Sequence, residues 1–425
     1  MRRRISLALA TSAALLALTA CTGGGGQAAP VQTGGGEITG EVSLQTWSLT
    51  PKFTGYLKET VAAFEKEYPG TKVKLIDQPG DGYSDKVLTQ AASGTMPDVV
   101  NLPPDFTLPL VGQKMLLDVA TVDPTLEQTY VPGSLAAFQF RGSEGTYAYP
   151  WYLNTDVNYW NTDKFEKCGL DPAKVPATTA ELFEQAEVMH EACPKEYLLS
   201  RKPGLGDLAL SGAPILSADG TKFEFNTPEA AALVDQYAQA FQKGLMPSSV
   251  LSSDYLGNSL LFTKGEVAWT TGGATSIPDF ERDNPSLKGS VVASPALDIA
   301  PLYAQGLAVS ANSKNQATAV ALAKWMTNSE NQAAFAHLVN VFPSTIESAK
   351  DPFFSKSNGT AASDAKVIAF KALETAKNMQ PYEVNSAMSD YAGQQIALAI
   401  RGDISSQDAL DKAVERLNEM LERQK

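Results

Sequence analysis

Between Glu41 and Val100 the hydrophobic period switches repeatedly, and this restricts the fold more than any other feature of the chain. EVSLQTW at Glu41–Trp47 alternates apolar and polar residues, as a half-buried strand does. Leu57, Val61, Phe64 and Tyr68 then recur at three- and four-residue steps, which marks one face of a helix. Pro69-Gly70 stops that helix, and TKVKLI at Thr71–Ile76 returns to strand. A helix over Ser84–Ser93 and a short buried strand at Pro97–Val100 follow. Strand, helix, strand, helix, strand places the chain in the α/β class.

The middle of the chain is richer in helix. Thr178 or Thr179 is positioned to cap a helix running to about Ala192, with Leu182, Phe183, Ala186 and Met189 on its stripe. Thr227-Pro228-Glu229 opens another that stops at Gly244. Strands are expected at Gly265–Thr271 and Gln305–Ser310, and helices at Gln316–Met326, Glu330–Val339, Asp390–Arg401 and Ser406–Glu422. With 425 residues, 44% of them hydrophobic, the chain can bury a sizeable core and suits two or three domains. No linker interrupts it after residue 40, so two lobes sharing this chain must exchange several crossing segments.

The N-terminus stands apart from the fold. Arg2, Arg3 and Arg4 precede an apolar run, Ile5–Ala20, too short to anchor in a bilayer and built like a secretory signal over 1–20. It ends in Leu18-Thr19-Ala20-Cys21, which resembles a bacterial lipobox and marks Cys21 for lipidation on the outer face of the cell membrane. The alternative is ordinary cleavage nearby with a free cysteine. GGGGQAAPVQTGGGE has no apolar periodicity, so 21–40 reads as a flexible tether holding the body roughly 25 Å from its anchor. Cys168 and Cys193 remain. An oxidising compartment favours a disulfide between them, the alternative being two buried thiols. Two histidines cannot complete a zinc cluster with them, so no metal and no cofactor is expected.

Excess acid, 47 Asp+Glu against 34 Lys+Arg, argues against nucleic acid as a partner. Catalytic patterns are lacking: there is no GxSxG elbow, P-loop, HExxH or dinucleotide fingerprint. Asp77 with Asp81 or Asp85 imitates a glycosidase pair, but a solvated loop explains them better. The expectation is therefore a binding protein and not an enzyme. DGYSDKV at Asp81–Val87 leaves the second strand through a tight turn that exposes Asp81 and Tyr83, where open α/β sheets hold ligands; the alternative for Tyr83 is a staple at the helix start.

YPWYLNTDVNYW, Tyr149–Trp160, carries five rings in twelve residues. In an extended chain one parity, Tyr149, Trp151, Leu153, Thr155, Val157, Tyr159, is mostly apolar and faces a core. The other, Pro150, Tyr152, Asn154, Asp156, Asn158, Trp160, mixes rings with polar groups and suits the wall of a wet cleft. Rings stack on the apolar faces of sugars while Asn and Asp pair their hydroxyls, so this wall suits a neutral polyol or sugar.

Several blocks now resemble a known family, the family 1 extracellular solute-binding proteins of ABC importers, a maltose-binding-protein-like group. The blocks are AFEKEYPGTKVKL at Ala63–Leu75, ASGTMPDVV at Ala92–Val100 and YPWYLNTDVNYWNTDKFEKCGL at Tyr149–Leu170. LFTKGEVAWTTGG at Leu261–Gly273 and GLAVSANSKNQATAVALAKWMTNSENQAAF at Gly306–Phe335 complete the order. The resemblance implies a two-lobed, type II periplasmic-binding-protein-like α/β fold with one ligand in the cleft between lobes. It places one lobe at 41–149 and 306–342 and the other at 150–305 and 343–425. Crossings would fall at Tyr149–Asn154, Pro301–Gly306 and Phe342–Lys350.

Ligand contacts implied by the resemblance, with the parity above, are Trp47, Asp81, Tyr83, Asn101, Asp105, Trp151, Tyr152, Asn154, Gly273, Thr275, Tyr303 and Gln305. Trp151 is included because a crossing strand can expose both faces. The chain departs from the sugar binders at Ala274-Thr275 and at Leu102, where they carry stacking tryptophans, which leaves a smaller or differently shaped sugar open. The resemblance implies a monomeric receptor that delivers a mono- or oligosaccharide to a membrane permease. A ligand-sensing lipoprotein without transport, or a binder of a polyamine or polyol, is the alternative.

Overall fold

The computed structural model describes residues 36–252, 255–339 and 341–423. The leader, Cys21 and most of the expected tether lie outside those residues. Among the described residues the strands are β1 (Gly40–Trp47), β2 (Thr71–Gln78), β3 (Val99–Leu102), β4 (Tyr149–Asn154), β5 (Asp156–Asn161), β6 (Trp269–Gly273), β7 (Val291–Ser294), β8 (Tyr303–Val309) and β9 (Phe342–Pro343). They form two sheets, of order β2-β1-β3-β8-β4-β9 and β6-β5-β7.

In the larger sheet β1 runs parallel to β2 and β3, while β8 runs antiparallel between β3 and β4. The last residues of β1, β2, β3 and β4 therefore share one edge with the first residue of β8. That edge carries Trp47, Gln78, Leu102, Asn154 and Tyr303. In the smaller sheet Asp156 lies opposite Gly273, and Asn158 opposite Ser294. Only Thr155 separates β4 from β5, so one edge of each sheet is brought to a common seam.

Capping chemistry fixes the helices around the sheets. The Thr178 hydroxyl accepts from Glu181 N at the head of Thr179–Ala192, and Thr227 does the same before Pro228–Gln242. Asn385 and Ser405 cap Ser386–Arg401 and Ser406–Glu422. Gly402, at φ +85°, ends the first of this pair in the left-handed conformation that favours glycine. The two helices pack on each other and on Pro228–Gln242 through Met388, Ala392, Ile396, Leu410, Ala413 and Leu417. On the larger sheet, Thr54–Glu67 meets Gln316–Met326, where Trp325 Nε1 donates to Thr60 O at 3.0 Å and the Trp325 ring meets Phe64.

The passages between sheets differ from expectation. β4 and β8 stay paired in the larger sheet from Tyr149↔Leu307 to Asn154↔Tyr303, so the chain leaves that sheet at Thr155 and returns through 295–302. Tyr149–Asn154 and Tyr303–Gly306 thus lie within the larger sheet, and of the two expected crossings only Pro301 and Leu302 fall in a passage between sheets. The third also moves. Phe342-Pro343 pairs with β4 and Thr345 bridges Tyr130, so the chain departs after Lys350, through Pro352–Ser355. Ala361–Ala372 then packs on β5 and β7. Cys168 and Cys193 are joined in a disulfide, with their Cα atoms 5.5 Å apart.

Candidate functional site

The first wall of the seam is built on β1. Asp77, at the end of β2, accepts from Thr46 Oγ1, Leu49 N, Thr50 N and Thr50 Oγ1, which pins the loop after Trp47. A Cβ on Gly80 would lie 2.9 Å from Ser48 Oγ and 3.4 Å from the Trp47 ring, so only glycine lets the 79–82 turn close over that indole. Half-buried Trp47 stacks on Tyr83 at 5.5 Å and meets Phe106 at 6.4 Å. Tyr83 itself is buried and donates its hydroxyl to Asn101 O at 3.0 Å. It supports Trp47 from beneath instead of facing the seam, a correction to its expected exposure. Asp81 is exposed on the turn beside it.

The second wall is β4, and one irregularity decides its geometry. The register slips between Pro150 and Tyr152, so β4 carries one more residue than β8 there. Such a bulge re-aims side chains. Trp151 is fully buried and stacks on Phe335 at 4.8 Å with the planes 10° apart, so it is a core ring and not a ligand contact. Tyr152 and Asn154 remain half-open, as their parity requires. The Tyr152 hydroxyl is near enough to oppose the ionisation of Tyr83, whose pKa is raised chiefly by burial, and this ties β4 to the Trp47 group. A Cβ on Gly273 would lie 3.7 Å from Asn154 Nδ2, which brings the end of β6 against β4. Thr275 is half-open just beyond it.

The parity does not survive into β5, whose residues are all buried because helices and strands cover both faces. Asn158 is held by Pro295 O and Trp269 Nε1, and Trp160 donates to Ser294 Oγ. Asn158 and Trp160 therefore belong to the core of the smaller sheet. Asp156 is only 7% exposed, but it reaches the seam edge, where Tyr303 donates its hydroxyl to Oδ2 at 3.1 Å. Burial raises the Asp156 carboxyl to about 6, while the Tyr303 bond and the nearby Arg201 guanidinium pull the other way.

Arg201 was not foreseen. It sits over the Trp269 ring at 5.7 Å and is gripped by Asp207 through two bonds of 2.6 and 2.7 Å. Asp207 Oδ2 also accepts from Gly204 N, so one carboxylate starts a helix and aims the guanidinium. Burial works against the Arg201 charge, but Asp207 more than offsets it and keeps the side chain cationic. With 28% of its side chain accessible, Arg201 can still touch a bound molecule. RKPGLGD has no helical spacing or known motif to give this pair away.

The helix Pro104–Gly112 extends the site. Phe106 faces Trp47, while Leu108 lines a pocket of about 380 Å³ with Phe140, Arg141, Met379, Tyr382 and Glu383. Asp105, exposed at the head of that helix, has its carboxyl raised by the surrounding protein. Burial and the Asp105 charge together push the Tyr382 hydroxyl up to about 12, which places the two groups within electrostatic reach. Tyr303 is 46% exposed and Gln305 half-buried on the same face of β8, whereas Asn101 is fully buried. Asn101 therefore acts behind the surface, which corrects its expected contact role.

Residues 47–333 match the model of the bacterial extracellular solute-binding proteins. The chain belongs to that family. A galactooligosaccharide-binding protein of Bacillus subtilis (strain 168) is 24% identical over 381 residues, covering 85% of each chain. A periplasmic-binding protein from Synechococcus sp. MITs9220 superposes with a TM-score of 0.79 at 26% identity, over 90% of this chain and 99% of that one. The cyclic α-maltosyl-1,6-maltose binding protein of Arthrobacter globiformis gives 0.72 at 19% identity, over 90% and 99%. The fold is the type II arrangement of maltose-binding-like proteins. Among the described residues no helix is long and apolar enough to cross a membrane.

Proposed function

We propose that this family member is an extracytoplasmic receptor that holds a neutral oligosaccharide in the seam and passes it intact to an ABC permease. One observation carries the reading: a single seam sets rings beside hydrogen-bonding groups, and the guanidinium at its edge, Arg201, is paired with Asp207. Trp47, Phe106, Tyr152, Tyr303 and Tyr382 offer flat apolar faces, while Asn154, Asp156, Gln305 and Asp105 offer polar groups. Sugars present the same pairing of apolar ring faces and equatorial hydroxyls. Phe106 and Tyr382 supply rings on the helix Pro104–Gly112 side, away from the Ala274-Thr275 and Leu102 positions that lack them.

Arg201 is neutralised by Asp207, and Asp156 and Asp105 add acid, which disfavours a phosphorylated or acidic sugar at that end of the seam. The pocket beside Tyr382 continues the seam along one helix, which favours several sugar units over one. The names of the galactooligosaccharide-binding protein and the cyclic α-maltosyl-1,6-maltose binding protein support the same class. We place the two lobes at 36–154 with 303–350 and at 156–294 with 361–423. The hinge then lies where Thr155 Oγ1 donates to Pro301 O at 2.6 Å and Lys377 exchanges bonds with Ala300 and Leu302. Cys21 carries the lipid that holds a monomer at the membrane.

Titration calorimetry with galactotetraose, maltotetraose, raffinose, glycerol 3-phosphate and spermidine tests this, with chromatography of the recovered sugar. A neutral oligosaccharide should bind and return uncleaved. Tyr152→Ala with Asn154→Ala should weaken it at least ~10-fold, or about 1.4 kcal/mol. Unchanged binding by that variant would move the site elsewhere, and cleaved sugar would make the protein an enzyme.

A further inference from the structure

Asn101 is fully buried in β3, and its Nδ2 lies 3.2 Å from Gly306 O and 2.9 Å from Gln305 Oε1. A backbone carbonyl only accepts, so the contact with Gly306 fixes which end of the Asn101 amide is the NH2. That same NH2 faces Gln305. The Gln305 amide must therefore turn its oxygen inward, which leaves its own NH2 outward. Among the described residues that NH2 has no partner.

Where it points follows from the strand. Residues two apart on a strand share a face, and Tyr303 and Gln305 are the open pair of β8 while Ala304 and Gly306 are buried. The bulge in β4 sets Tyr152 directly opposite Gln305, and Asn154 opposite Tyr303. Gly306 cannot be replaced without disturbing this: a Cβ there would lie 2.6 Å from the Phe138 ring and 2.8 Å from Ala148 Cβ. The carbonyl that orients Asn101 is thus itself held in place.

We propose that Gln305 is a specificity-determining hydrogen-bond donor of the seam, locked in that polarity by the buried Asn101. The ligand atom it reads is an acceptor with no proton to give at that point: a ring or glycosidic oxygen, or a hydroxyl already donating elsewhere. Asn101 is a positioning residue, acting only through Gln305. The inference rests on the carbohydrate reading of the seam.

The test uses the mature chain and whichever of galactotetraose or maltotetraose the wild type binds. In Gln305→Glu one oxygen still accepts from Asn101, and the other replaces the donor with an acceptor. Affinity should fall at least ~10-fold, and further than in Gln305→Ala, where water can fill the gap. Asn101→Leu frees the Gln305 amide to turn, so affinity should fall in the wild-type background. In the Gln305→Glu background, where both ends accept, the same change should have little effect. A general structural role for Asn101 would lower affinity equally in both, so an additive cycle overturns the positioning claim. Wild-type affinity in Gln305→Glu overturns the donor claim, and that variant decides the matter even if Asn101→Leu fails to fold. If the wild type binds neither sugar but a non-carbohydrate solute does, the carbohydrate reading falls and the inference falls with it.

Discussion

Asp156 is caught between burial, which favours its neutral form, and two partners, Tyr303 and Arg201, which favour the charged one. Burial wins, and the carboxyl titrates at about 6 instead of the ordinary 3.8. The folded chain then holds this proton more tightly than the unfolded chain does, so the contribution of Asp156 to stability falls as pH rises through that window and is level above it. Urea unfolding should show Asp156→Asn gaining stability relative to wild type between about pH 4 and about pH 6, by on the order of 1–3 kcal/mol. The same residue should accept a ligand hydroxyl best when ionised, so wild-type affinity should drop below about pH 6 and the drop should shrink in Asp156→Asn. Tyr152 and Asn154 were legible from parity because β4 is open on one face. Alternation also put Trp151 on the core face, where it lies, and only its expected ligand contact fails, while the Arg201–Asp207 grip joins residues whose spacing carries no pattern.

At the scale of elements, side chains that satisfy their own helix ends made the sequence easy to read. Thr178 and Thr227 cap the helices that their positions predict, and the amphipathic C-terminal pair buries the stripe that its period marks. β6 begins later than GEVAWTT suggests, at Trp269, because Val267 is taken by a bridge to Tyr197. Two devices at this scale have measurable weight. Gly306→Ala should destabilise the β4–β8 pairing by about 1–3 kcal/mol in denaturant unfolding, since Phe138 and Ala148 leave no room for a methyl group. Replacing Cys168 and Cys193 by serine should lower stability by about 3 kcal/mol, as the bond closes a loop spanning a sequence separation of 25. Reductant should then lower the melting temperature of the wild type and leave the serine variant unmoved.

The whole molecule follows from the ordering of two sheets along one chain. The early strand–helix alternation gives the α/β class directly. The pairing of β8 between β3 and β4 depends on contacts about 150 to about 210 residues apart, which no local period can specify. That insertion turns the ends of five strands and the smaller sheet toward one seam, with Thr155 as the short bridge. If the seam is the binding cleft and its bridges are a hinge, a ligand touching both walls must favour the closed form by its differential contacts. Small-angle X-ray scattering of the mature chain, with and without the saturating oligosaccharide found by calorimetry, measures that closure directly. Closure should give a smaller radius of gyration with sugar bound and no such change in Tyr152→Ala with Asn154→Ala at the same concentration. Saturated binding of the sugar with unchanged scattering would contradict it.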